Sequence, residues 1–154
     1  MDNFSIIKVD PINSEDALEL IRELDNELLQ RYPGERVHTL DLTKVSEGNA
    51  IFLVGYLEGR PIACGSICKL DAQTGEIKRV FVRPEARGLG LSKLMLVRLE
   101  KEALEMDFKV LRLETGKRQP EALGLYRKVG YHNIPKYGEY IDNPQSVCME
   151  KNLI

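Results

Sequence analysis

Apolar and polar positions alternate from residue 4 to residue 9, which predicts a first strand. Asn13 and Ser14 suit a helix cap, and Glu15 and Asp16 suit the positive end of the helix after it. Ala17, Ile21, Leu24 and Leu28 then recur at helical spacing. Pro33 cannot continue that helix and Gly34 permits a turn. Residues 35–49 are polar, with room for a short second helix. Two apolar runs, 51–57 and 61–68, flank Glu58-Gly59-Arg60 and predict a hairpin. Gln73-Thr74-Gly75 is a second turn, and 76–82 is the next strand. The period then changes. Leu91, Met95, Leu99, Ala103 and Met106 recur at helical spacing, and Leu94 and Leu96 widen the stripe. A strand over 110–114, a short helix over 120–128 and a strand start over 131–134 come next. A Pro/Gly/Asn-rich loop over 135–145 leads to a last strand over 146–152.

A meander and then strand–helix–strand–helix–strand predicts an α/β arrangement, a mixed α+β fold around one sheet. The 154 residues contain no repeat, low-complexity tract or linker, so residues 1–154 are expected to form one domain. The apolar fraction of 43% and the charged fraction of 30% are those of a globular chain. Lys plus Arg is 22 against 24 for Asp plus Glu, a net charge of −2. That balance argues against nucleic-acid binding, which draws on excess positive charge. It leaves room for a local basic pocket that takes one anionic ligand. No stretch approaches the ~20 apolar residues of a membrane span, and the first ten residues lack a signal-peptide core. A cytoplasmic protein with no membrane partner is expected.

Cys64, Cys68 and Cys148 form an odd set without metal-ligand spacing, so free thiols are expected. Even spacing puts Cys64 and Cys68 on one strand face, as small buried hydrophobes. With only His38 and His132, a histidine metal site is not expected. His132 reads as a plain strand residue.

The most informative stretch runs from Val80 to Ser92: strand, Gly-containing turn, helix start. A helix N-terminus offers unpaired N–H groups and the positive end of a dipole. Gly88 and Gly90 let the backbone approach an anion with no Cβ in the way. The stretch is not a Walker loop, which needs Gly-x4-Gly-Lys-Ser/Thr. It is not a dinucleotide fingerprint either, because Lys93 stands where the third glycine belongs.

Arg87-Gly88-Leu89-Gly90-Leu91-Ser92 resembles the pyrophosphate loop of the GCN5-related N-acetyltransferase superfamily, with Ser92 in place of the usual final Gly or Ala. About 30 residues on, Gln119-Pro-Glu-Ala122-Leu-Gly-Leu125-Tyr126-Arg-Lys-Val-Gly130-Tyr131 resembles a second segment of that family, with Gln119 in place of the common Asn. Residues 76–85 look like the family's fourth strand, and the resemblance covers essentially the whole chain, residues 1–50 in pattern only.

The resemblance implies an acyl-CoA N-acyltransferase fold, a central twisted, mostly antiparallel sheet flanked by helices. It implies acetyl transfer from acetyl-CoA, as co-substrate, to an amine by direct attack in a ternary complex. Loop 87–92 would take the pyrophosphate, with Arg83, Arg87 and Lys93 supplying positive charge. Val80, Phe81 and Val82, splayed from the strand over 110–114, would hold the pantetheine arm as an added strand. Gln119 and Tyr126 would complete the cofactor site. Tyr126 matches the family's proton donor to the thiolate. An alkylamine has a pKa near ~10.4 and must lose a proton before attack. Glu76 is the candidate acceptor of that proton, on one strand face with Lys78 and Val80 by period-two arithmetic. A backbone N–H near Val80 or Phe81 would stabilise the oxyanion.

The acceptor wall is expected in residues 29–36 and 136–146, since loops carry specificity. Arg31 could hold an acidic group on the acceptor, and Tyr32, Tyr137 and Tyr140 could line the pocket. A small-molecule amine is the favoured acceptor. A protein lysine or N-terminus, or a non-catalytic acetyl-CoA-binding module, remain alternatives, and a homodimer is possible.

Overall fold

The computed structural model describes residues 3–33 and 42–154. Gly34, Glu35, Arg36, His38 and the first part of the 35–49 segment lie outside the described residues. The strand β1, Phe4–Val9, leads into helix α1, Glu15–Arg31. Ser14 caps α1 by accepting from the Ala17 amide, so the predicted cap forms. A one-turn helix α2, Thr43–Ser46, precedes the meander β2 (Ala50–Leu57), β3 (Arg60–Lys69) and β4 (Thr74–Val82). Helix α3 spans Leu91–Glu105, β5 Val110–Gly116, α4 Pro120–Lys128, β6 His132–Ile134 and β7 Ser146–Asn152.

The seven strands form one sheet in the order β1-β2-β3-β4-β5-β7-β6. Every neighbouring pair is antiparallel except β4 with β5. The two faces carry separate apolar cores. On one, Ala17, Leu20 and Leu24 of α1 bury Phe52, Val54, Cys64, Cys68 and Phe81. On the other, Leu91, Met95, Leu96 and Leu99 of α3 and Tyr126 of α4 pack with Ile67, Ile77, Leu111 and Leu113. Leu94, expected to widen the α3 stripe, is exposed. Cys64 and Cys68 share the α1 face, buried as reduced thiols. Among the described residues no helix is long and apolar enough to cross a membrane.

Two irregularities in β4 set the geometry of the sheet's centre. The parallel pairing with β5 runs from Thr74↔Val110 only to Ile77↔Leu113. Beyond it β4 continues through Val82 and β5 through Gly116 without pairing, so the strands part. Opposite β3, two residues of β4 (Arg79 and Val80) face one of β3 (Gly65), a β-bulge. Arg79 takes the left-handed φ of 61° at that bulge. The bulge reverses the side-chain alternation. Cys64 and Cys68, on one face, sit opposite Phe81 and Glu76, so Glu76 and Phe81 share the α1 face. Val80 therefore turns to the α3 face, where it packs on that core. The expected sharing of one face by Glu76, Lys78 and Val80 does not hold, because one extra residue shifts every later position to the other side.

Candidate active site

The parting of β4 and β5 opens a cleft of about 160 Å³. Val80 and Ile77 line it from β4, with Leu113, Glu114, Thr115 and Gly116 from β5. Because the sheet is split here, side chains of both faces reach the same space. Tyr126 enters from α4, on the α3 side. Lys78 and Glu114 enter from the other side, since Glu114 stands opposite Cys148 and two residues from Arg112, the neighbour of Glu76.

Tyr126 is 8% exposed. Burial, and next the negative charge of Glu114, push its phenol up to about 12, so it carries its proton across the neutral range. Its ring meets Tyr131 edge-on, with centroids 5.8 Å apart. The Tyr131 hydroxyl in turn donates to Glu100, which also takes Lys151 at 3.0 Å. The tyrosine is thus both protonated and held in place.

Of the three β4 residues assigned to the pantetheine arm, Val80 alone lines the cleft. Phe81 and Val82 are buried in the two cores and offer backbone only. Past Ile77, that backbone has no strand partner on the β5 side. The loop before α3 carries Gly88 and Gly90 at φ +83° and +78°, a region where a Cβ is strained. Nothing lies within 4 Å of where a Cβ would stand at either glycine, so the loop is open above the first α3 amides of Leu91 and Ser92. Arg87 braces the loop, its Nε donating to the Val82 carbonyl at 2.9 Å and its guanidinium reaching Glu27 of α1 at 2.7 Å. Arg83 turns away: it is buried against α1 with Glu23 at 2.7 Å and Glu19 at 3.1 Å. A strand edge left unpaired past Ile77 and an anion-ready helix start fit an extended acyl thioester with a pyrophosphate.

Gln119 stands at the N-cap of α4 and lines the cleft. Its side-chain oxygen accepts from the Gly116 amide at 3.0 Å, which fixes the β5–α4 turn.

The acceptor-side candidates separate into two groups. Tyr32 and Tyr140 line the cleft. The Tyr32 hydroxyl accepts from the Arg118 amide at 3.0 Å, and burial raises its phenol. Tyr140 accepts from Lys78 Nζ at 3.0 Å. Arg31 and Tyr137 do not line it. Arg31 pairs with Glu121 and donates to the Arg118 carbonyl at 3.2 Å, tying α1 to α4. Tyr137 donates to Glu76 at 2.6 Å and stands edge-on to Tyr140, 5.4 Å between centroids.

Glu76 also lies outside the cleft lining. It is 4% exposed, with Tyr137 on one oxygen and Lys78 Nζ 3.3 Å from the other. Its bond from Tyr137, together with the one Lys78 gives Tyr140, anchors the 136–146 loop to β4. Asn143 and Gln145, inside the expected 136–146 wall, line the cleft; Glu114 lines it too and was not expected from sequence. For Glu114 the available signal was a carboxylate interrupting the apolar strand 110–114 just before Thr115-Gly116.

Residues 15–131 match the family model described as Acetyltransferase (GNAT) family. The chain belongs to the GNAT acetyltransferases. A relative, the IAA acetyltransferase of Azospirillum brasilense, is 38% identical over 99% of this chain and all of its own. A Klebsiella pneumoniae protein assigned as an acyl-CoA N-acyltransferase shares 30% identity, and its crystal structure superposes with a TM-score of 0.83 over 98% of both chains. A GNAT enzyme of Elizabethkingia anophelis, crystallised with acetyl-CoA, has the same fold at 18% identity, with a TM-score of 0.73 over 99% of both chains. As a GNAT enzyme the chain is an acetyl-CoA-dependent acetyltransferase, and the expected fold class holds: a seven-stranded mixed sheet flanked by helices.

Proposed function

We propose that this acetyltransferase acetylates the primary amine of a small molecule by direct attack on bound acetyl-CoA. The observation that carries the reading is the cleft at the β4–β5 parting. It is small, and the 136–146 loop closes one of its walls through Tyr140, Asn143 and Gln145. A polypeptide substrate calls for an open groove; this cleft suits a compact amine beside the aromatic rings of Tyr32 and Tyr140.

In this reading, loop 87–92 binds the pyrophosphate through its glycines and the first amides of α3. The free edge of β4 from Val80 to Val82 pairs with the pantetheine amides, and Gln119 and Tyr126 border the arm. Acetyl-CoA supplies an activated acetyl carbonyl. The acceptor nitrogen attacks that carbon, the N–C bond forms, and the C–S bond breaks. A backbone N–H near Val80 or Phe81 stabilises the developing oxyanion. Tyr126 protonates the departing sulfur and then regains a proton from the nitrogen by way of water. The test is an acceptor screen that detects released thiol and acetylated product. Small primary amines should be turned over, and lysine-containing peptides should not.

A further inference from the structure

We propose that Glu114, and not Glu76, takes the first proton from the acceptor's ammonium and steers the amine to the thioester. The proposal rests on the small-amine reading of the cleft and assigns its missing base.

Three observations converge on Glu114. It is the first β5 residue after the pairing with β4 ends, so it stands where the cleft begins. It is half-buried and lines the cleft, whereas Glu76 is covered by Lys78 and Tyr137 and does not. Ser146 Oγ donates to Glu114 Oε2 at 2.7 Å and fixes the carboxylate from β7, across the strand pair. Burial first, and then its charge among other causes, holds the acidic protons more tightly on groups around it: Tyr32 just past α1, Tyr126 of α4, Tyr140 of the loop and Cys148 of β7. Lys78 and Arg79 face the cleft from β4, each paired with an acid, Lys78 with Glu76 and Arg79 with Asp25. Base and acid therefore flank one space, Glu114 from one sheet face and Tyr126 from the other.

The protons balance. The ammonium gives one proton to the Glu114 carboxylate, which releases it to solvent after turnover. The neutral amine attacks, and the tetrahedral intermediate expels the thiolate, which takes the Tyr126 proton. The second nitrogen proton, lost as the amide forms, restores Tyr126. Each turnover yields one amide, one thiol and one released proton.

The experiment measures kcat/KM from pH 6 to 10 with acetyl-CoA and a panel of benzylamine, tyramine, tryptamine and spermidine. Wild type, Glu114→Gln, Glu76→Gln and Ser146→Ala are compared, with acetyl-CoA affinity measured by calorimetry for each. Glu114→Gln should lose on the order of 10²-fold at pH 7, keep its acetyl-CoA affinity, and recover at high pH where the amine is already neutral. Ser146→Ala keeps the carboxylate but removes a bond to its charged form, so its acidic limb should move to higher pH. Glu76→Gln should keep the acidic limb of wild type. A Glu114→Gln profile superimposable on wild type, or an acidic limb lost in Glu76→Gln alone, overturns the proposal. Loss of acetyl-CoA affinity along with the rate in Glu114→Gln also overturns it, since a base of the acceptor side leaves the donor site intact. Absence of wild-type turnover with every amine overturns the small-amine reading itself and the proposal with it.

Discussion

Gly116 lies directly beneath the Tyr32 hydroxyl: a Cβ at position 116 would stand 1.6 Å from that oxygen and 2.4 Å from the ring carbon bearing it. The contact locks the end of α1 onto the β5–α4 turn, where Tyr32 also receives the Arg118 amide and Gln119 receives the amide of Gly116. Both Tyr32 and Gly116 line the cleft, so the wall of the site depends on a position without a side chain.

Gly116→Ala should therefore displace Tyr32 and cost about 1–3 kcal/mol, the usual range for overpacking. Combined with Tyr32→Leu, which withdraws the clashing oxygen and ring, the loss should fall short of the sum of the two single losses. Urea denaturation of the four proteins measures this, and an unchanged midpoint for Gly116→Ala would contradict the contact.

Tyr126→Phe should lower turnover by about 10²–10⁴-fold while leaving acetyl-CoA affinity and melting temperature nearly unchanged. The phenol is held up to about 12, so the protonated, donating form persists until pH rises toward that value. No basic limb between pH 8 and 10 should therefore depend on this residue. A steady-state assay over that range checks both statements, given single-turnover evidence that chemistry limits the rate.

Gly90→Val should weaken acetyl-CoA binding. The residue caps α3 at φ +78°, where a β-branched side chain is strained, and the loop must adjust away from an anion. Calorimetric titration with acetyl-CoA and with a pantetheine thioester lacking the pyrophosphate separates the effects. The loss should be confined to the ligand that carries the pyrophosphate.

The Cys64 thiol, pushed by burial from 9.0 up to about 12, links stability to alkaline pH. Its folded value lies above its unfolded one, so the stabilisation is whole below pH 9 and is lost as pH climbs from 9 toward 12. Urea midpoints should decline over that window, and Cys64→Ala should flatten the decline relative to wild type. The native thiol should also resist alkylation at pH 8, since the thiolate is the reactive form.

The elements were legible where local chemistry decides them. The first strand, α4 and the last strand fall on the expected residues, because alternation, Pro120 and the Asn/Pro/Gly-rich loop mark their limits. The bulge was not legible: no glycine marks it on β4 itself, and Arg79 takes its positive φ in the middle of a regular-looking strand. Period-two counting consequently placed Val80 beside Glu76. Glu114 was hidden for a related reason. Only the parting of β4 from β5, a relation between strands more than 30 residues apart, turns a strand carboxylate into a cleft residue. Arg31 looked like an available cation beside a turn, yet its partner, Glu121, comes from a helix on the far side of the sequence.

Acetyl transfer from acetyl-CoA to an amine in the β4–β5 cleft is tested most directly by product stoichiometry. Enzyme, acetyl-CoA and benzylamine, tyramine, tryptamine or spermidine are mixed, and thiol release and acetylated amine are quantified together by mass spectrometry. At least one amine should yield acetamide and free coenzyme A in equal amounts, at a rate that depends on the amine and collapses in Tyr126→Phe, with no acetyl group left on the protein. Thioester cleavage independent of amine, or an acetyl group retained on a cysteine, would contradict direct transfer in this cleft.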